Sequence, residues 1–172
     1  MAQSPALTPN RPLSSDASSV KVTIATTAGF LGQPATRYKV GEQIPVTITM
    51  TNTSQQPVYT CISSDVYQDI PKLTRDGKVI QYLKFQSYET VYAKRNNVCQ
   101  EENLPETMLL RPNEPTVTDW FVLANNDGSP EGVDAWYDSL PPGKYDLTIQ
   151  RRLACCDGPT IESNKISFEV VS

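Results

Sequence analysis

The residue types that could do chemistry in this chain are limited by one absence: it has no histidine. A Ser-His-Asp triad, a Cys-His dyad and any His-ligated zinc site are therefore excluded. The side chain that most often moves protons near neutral pH is also missing. Catalysis would have to draw on carboxylates, lysine or tyrosine. Asp65 with Asp69, and Glu101 with Glu102, are the carboxylate pairs that glycosidase-type acid–base work could use. Their sequence spacing does not set the separation such work needs, and carboxylates are ordinary on any solvated surface. The stretch Asn125-Asn-Asp127-Gly-Ser-Pro-Glu131, with Asp134 and Asp138 nearby, gathers side-chain oxygens. Calcium takes about six to eight oxygen ligands. The stretch lacks the Asp-x-Asp-x-Asp-Gly frame of an EF-hand loop, so an acidic surface loop with Asx turns is the simpler reading. No enzyme, metal or cofactor is expected.

Cys61, Cys99, Cys155 and Cys156 make an even count, which fits disulfides in an oxidising compartment. A Cys61–Cys99 bridge would tie the strand near Tyr59 to the polar loop around Asn97. Cys155 and Cys156 are adjacent, and a bridge between them would be a strained ring. Separate partners and free thiols are the alternatives. Zinc held by four thiols would lack the usual paired Cys-x-x-Cys spacing.

Tyr82, Phe85, Tyr88 and Tyr92 form an aromatic set beside Lys84, Lys94 and Arg95. Rings supply large contact area at low entropy cost, so a sugar- or peptide-contacting surface is one reading. Cross-strand core packing is the other. Trp120 is expected in the core, and Trp136, in a loop beside Pro141, is the better candidate for a surface contact. Asn52-Thr53-Ser54 matches a glycosylation sequon but also makes a turn.

Composition narrows the class. Lys and Arg number 15 against 19 Asp and Glu, a net charge of −4. Broad nucleic-acid binding needs a basic face and is not expected. No apolar run approaches the roughly 20 residues that span a bilayer. The 14 prolines outnumber the 8 glycines, which favours strands and stiff loops over helices. The start Met1-Ala-Gln-Ser-Pro-Ala has neither a basic nor an apolar signal region. It reads as a mature exported terminus behind an added methionine, which places the protein outside the cell or in the periplasm. A cytosolic protein with reduced cysteines is the alternative.

The elements that must position these residues are strands. Ile44, Val46, Ile48 and Met50 alternate with Gln43, Thr47, Thr49 and Thr51, the period of a half-buried strand. The rhythm recurs at Val20, Val22 and Ile24, at Tyr145, Leu147 and Ile149, and at Ile166, Phe168 and Val170. Lys72 to Ile80 is the clearest hairpin, because Asp76-Gly77 suits a type I′ turn. Thr107–Leu110 and Thr116–Leu123 are further strands, and Val133–Leu140 could hold one helical turn. Residues 1–19 are Ser/Pro-rich and read as a flexible spacer, or as an arm that orders against a neighbouring subunit. Residues 20–172 read as one all-β, immunoglobulin/fibronectin-like antiparallel sandwich of about eight or nine strands.

Leu140-Pro-Pro-Gly-Lys-Tyr145-Asp-Leu147 resembles the tyrosine corner of such sandwiches, with Leu147 as the core position. From Tyr38 to Val171 a longer pattern runs through G-E-x-x-x-V-T-I-T-x-T-N, the R-D-G-K hairpin, L-x-P-N-E, L-P-P-G-K-Y and S-F-E-V. This is similar to bacterial immunoglobulin-like domains of the BsuPI-type intracellular proteinase inhibitor family. The resemblance implies a fibronectin-type sandwich and, in some members, protease inhibition. The chain departs from the pattern in its cysteines, its tail and its long loops around Asn96 and Asp127. The expected function is a non-catalytic, exported binding or structural module with a protein or other cell-surface ligand. One alternative is an inhibitor presenting the Lys94–Asn103 loop. The other is a fibre subunit that self-associates when the N-terminal arm or the Val20 strand adds to a neighbouring sheet.

Overall fold

The computed structural model describes residues 19–29, 32–61, 69–81, 107–124, 135–153 and 160–172, apart from the side chains of Cys61, Thr107 and Arg152. Within them lie twelve strands and no α-helix. In chain order these are β1 (Val20–Thr26), β2 (Arg37–Lys39), β3 (Ile44–Asn52), β4 (Val58–Cys61), β5 (Asp69–Arg75) and β6 (Lys78–Ile80). They continue with β7 (Thr107–Leu110), β8 (Pro115–Ala124), β9 (Ala135–Tyr137), β10 (Gly143–Arg152), β11 (Thr160–Glu162) and β12 (Ile166–Val171). One sheet has the order β1-β3-β8-β9, and the second β2-β12-β10-β5-β6 with β11 also on β10. A short β4-β7 ladder completes the set.

The alternation read from the sequence is what closes the sandwich. Ile44, Val46, Ile48 and Met50 are all buried, as are Tyr145, Leu147, Ile149, Phe168 and Val170 from the second sheet, in one contiguous cluster. Burying a side chain of this size stabilises by about 1.5–3 kcal/mol, so these two faces carry the fold. The Asp76-Gly77 hairpin forms with φ of 51° and 76°, the left-handed pair that a type I′ turn requires. The Tyr145 hydroxyl donates to the Pro141 carbonyl at 2.6 Å, and its ring stacks on Phe168 with centroids 5.3 Å apart.

Three expectations are corrected. The sandwich is mixed: β8–β9 and β2–β12 pair in parallel. The strand count exceeds eight or nine because β2, β9 and β11 are three-residue segments, too short to show a period. The expected helical turn at Val133–Leu140 contains a strand instead, Ala135–Tyr137, buried at every position.

Two asparagines hold the frame. Asn52, fully buried at the end of β3, donates from Nδ2 to the Gln56 and Leu110 carbonyls at 2.7 and 2.9 Å. Its Oδ1 accepts from the Ser54 backbone and hydroxyl, and its own carbonyl accepts from Asn113 N at 2.7 Å. One amide thus fixes the corner where β3 passes to β4 and β7 to β8. Asn164, between β11 and β12, accepts from Ile24 N at 2.7 Å and donates to Ile24 O at 3.4 Å. It takes the place of a neighbouring strand along the outer edge of β1. At Thr26 the same edge is occupied by Ala35, which donates to the Thr26 carbonyl at 2.8 Å. An edge blocked in this way resists pairing with another chain.

Candidate functional site

The outward side of the first sheet is a grid set by strand register. Its rows are Lys21–Thr51–Pro115, Thr23–Thr49–Val117 and Ala25–Thr47–Trp120, across β1, β3 and β8. Threonine dominates the grid because a half-buried strand favours β-branched residues and a hydroxyl tolerates water. Val117 and Trp120 are its exposed apolar groups, at 51% and 47%. Among the described residues of the grid, Lys21 is the single charge. A chain with 34 ionisable Asp, Glu, Lys and Arg side chains has left this face almost neutral.

A bulge makes the face. Pairing between β3 and β8 slips between Ile48 and Thr49, so Thr118 has no partner in the ladder. One inserted residue reverses every later side chain. Uninterrupted alternation from Met50 and Thr116 would have sent Trp120 inward. With the bulge, Asp119 lies opposite inward-facing Ile48, and Trp120 lies opposite outward-facing Thr47. The expectation that Trp120 belongs to the core is therefore overturned, and Phe121 is buried in its place. Trp136 is corrected in the opposite sense. It sits in β9, 0% exposed, as part of the core cluster. A short parallel strand covered on all sides reads as a continuous apolar run, and its sequence resembles a loop.

Below the bulge lies a charged cluster that the sequence reading missed. Arg151 of β10 donates from one nitrogen, Nη1, to Asp69 Oδ2 at 2.6 Å and to Asp119 Oδ2 at 3.2 Å. Side-chain exposures of 0%, 1% and 13% for Arg151, Asp69 and Asp119 place the group inside the sandwich. Asp69 and Arg151 are ladder partners in the second sheet, and Asp119 reaches them from the first. Burial, with the Asp119 carboxyl alongside, pushes the Asp69 carboxyl well above the usual range, although Arg151 pulls it down. The other oxygen of Asp119, Oδ1, accepts from the Trp120 backbone N–H at 2.7 Å. The cluster therefore connects directly to the exposed tryptophan. Its only sequence signal was an acidic residue in each of two strands and an arginine in a third.

The remaining expected residues divide as follows. Tyr82, Phe85, Tyr88, Tyr92, Cys99, Cys155 and Cys156 lie outside the described residues, as do the Cys61 side chain, residues 1–18, Asp65, Glu101, Glu102 and 125–134. Tyr145 and Leu147 are buried on β10. Asp69 faces Arg151 and Asp119. Among the described residues, no group of three or more Cys, Asp or Glu side chains is placed to hold a metal, and no helix is long and apolar enough to cross a membrane. An open groove of about 510 Å³ beside the hairpin carries Asp76, Asp146 and Glu169 against Lys144. Asp146 there accepts a hydrogen bond from Ser167, a surface arrangement with no converging set of groups. No protein-family model matches the chain, and no curated protein matches it.

Proposed function

We propose that this protein is a non-catalytic, exported binding module whose recognition surface is the threonine–tryptophan face of the first sheet, and that its ligand is a neutral cell-surface polysaccharide. The observation that carries this reading is the outward Trp120 in a nearly uncharged grid of hydroxyls. A half-exposed indole beside Val117 offers a flat apolar platform for the C–H face of a sugar ring. Thr47, Thr49 and Thr51 offer hydroxyls at the strand spacing, able to donate or accept directly or through water, and Thr23, whose hydroxyl donates to the Thr49 carbonyl at 3.4 Å, can still accept. A face with one cation neither attracts nor repels a ligand by charge, which suits an uncharged polymer better than an acidic or basic partner. Export agrees with the even cysteine count. The blocked edge of β1 weighs against a fibre built by adding a strand there.

Affinity electrophoresis through gels loaded with neutral, acidic or basic polysaccharides tests the reading. Retardation is expected in at least one neutral gel and should be lost in Trp120→Ala. Unretarded migration in all neutral gels, or retardation that Trp120→Ala leaves intact, would overturn it.

A further inference from the structure

The cluster beneath Trp120 is built in a way that plain structural support does not require. A single guanidinium nitrogen serves two carboxylates, one from each sheet. One oxygen of each carboxylate converges on that nitrogen. Two carboxylates and one guanidinium leave a net negative charge in the interior, which is costly unless a proton on one carboxyl neutralises it. Asp69 Oδ1 is buried without a hydrogen-bond partner, so the cluster holds a carboxylate oxygen able to carry a proton. Among the described residues, Arg151 and Asp119 are the charged groups that act on Asp69, and the ladder neighbours are apolar: β3 sets Ile48 opposite Asp119, β1 sets Ile24 opposite Ile48, and β11 sets Ile161 opposite Arg151.

We propose that Asp69, Asp119 and Arg151 form a latch between the sheets, switched by a proton on the Asp69 carboxyl, that sets the position of Trp120. With the proton in place the cluster is neutral, Asp119 stays on Arg151, and its Oδ1 holds the Trp120 backbone N–H. When the proton leaves to solvent, two negative carboxylates compete for one nitrogen. Asp119, the more exposed of the two and the one at the bulge, gives way. The bulge shifts, and Trp120 shifts with it. The latch stands on the cluster alone. Its consequence, a polysaccharide affinity that changes with pH, rests on the face being the recognition surface.

The test is a pH titration of the full chain labelled with 5-fluorotryptophan, observed by fluorine NMR with no ligand present. Two resonances are expected from the two tryptophans, and Trp120→Phe assigns them. The Trp120 signal should move in a single sigmoidal step with its midpoint clearly above the ordinary Asp value of about 3.9. The Trp136 signal should stay still, and Asp69→Asn should abolish the step. If Asp69→Asn fails to fold, Asp119→Asn serves the same purpose, with Trp120 losing the step there. A Trp120 signal that does not move, that titrates only near pH 4, or that keeps its step in the Asn variant would overturn the proposal. Because no ligand is used, a failure here is separate from a failure of polysaccharide binding.

Discussion

Replacing Asn52 tests the corner that brings β8 into register. In Asn52→Ala the Leu110 carbonyl, buried where it receives Nδ2, is left without its donor at 2.9 Å. Stranding a buried carbonyl costs about 1–3 kcal/mol. The Gln56 carbonyl and the Ser54 donors lie nearer the surface and regain water, so each loss there is on the order of 0.5 kcal/mol. The expected total is about 3 kcal/mol, a large share of the roughly 5–15 kcal/mol that holds a domain folded. For a chain of this size that corresponds to a fall in melting temperature of about 6–12 °C. Asn52→Asp is the sharper variant. It places a carboxylate oxygen against the two carbonyls that Nδ2 now serves. At neutral pH it should therefore be less stable than Asn52→Ala and should recover part of the deficit on acidification, since burial beside acceptors raises that carboxyl. Differential scanning calorimetry of the three proteins at neutral and mildly acidic pH reads both effects. A change under about 2 °C for Asn52→Ala, or an Asn52→Asp protein at least as stable as it at neutral pH, would refute the reasoning.

The remaining predictions follow from the same contacts. The Asp69 carboxyl is raised in the folded state by burial and by Asp119, so its contribution to stability is fully present below the unfolded value of about 3.9 and is lost as pH rises through the folded value. Urea unfolding across that window should show stability declining with pH, and Asp69→Asn should flatten the slope. Tyr145→Phe deletes the hydroxyl contact to Pro141 and should cost about 1 kcal/mol by urea unfolding, with the sheets otherwise intact. Asn164→Ala removes both bonds to Ile24 and should cost about 1–2 kcal/mol. It also exposes the edge of β1, so sedimentation velocity should show association that grows with concentration. A monodisperse Asn164→Ala protein would contradict the edge-blocking role.

Strands with a clean period were legible in the sequence. β3 from Val46 onward, β10 and β12 alternate, and Asp76-Gly77 announces its turn, because these features depend on residues within one or two positions of each other. The bulge at Thr118 was not legible. A threonine in a threonine-rich strand has no local mark of being unpaired, and only the ladder to β3 shows it. That single slip accounts for the wrong placement of Trp120 and for the invisibility of the site, since the same slip turns Asp119 toward Arg151. The cluster joins residues 82 and 32 positions apart, a distance no spacing rule covers. Asn52 and Asn164 read as turn residues because turns are where asparagine is common. Their bonds to Leu110 and Ile24 are long-range. Trp136 read as a loop residue because a three-residue parallel strand has no period to detect.

The claim on which the rest depends is that the bulge turns Asp119 into the sandwich and Trp120 out of it. Acrylamide quenching of tryptophan fluorescence in Trp120→Phe and Trp136→Phe measures this directly. The protein that keeps only Trp120 should be strongly quenched, and the one that keeps only Trp136 should be nearly inaccessible. The reverse order, or equal protection of both indoles, would contradict the account.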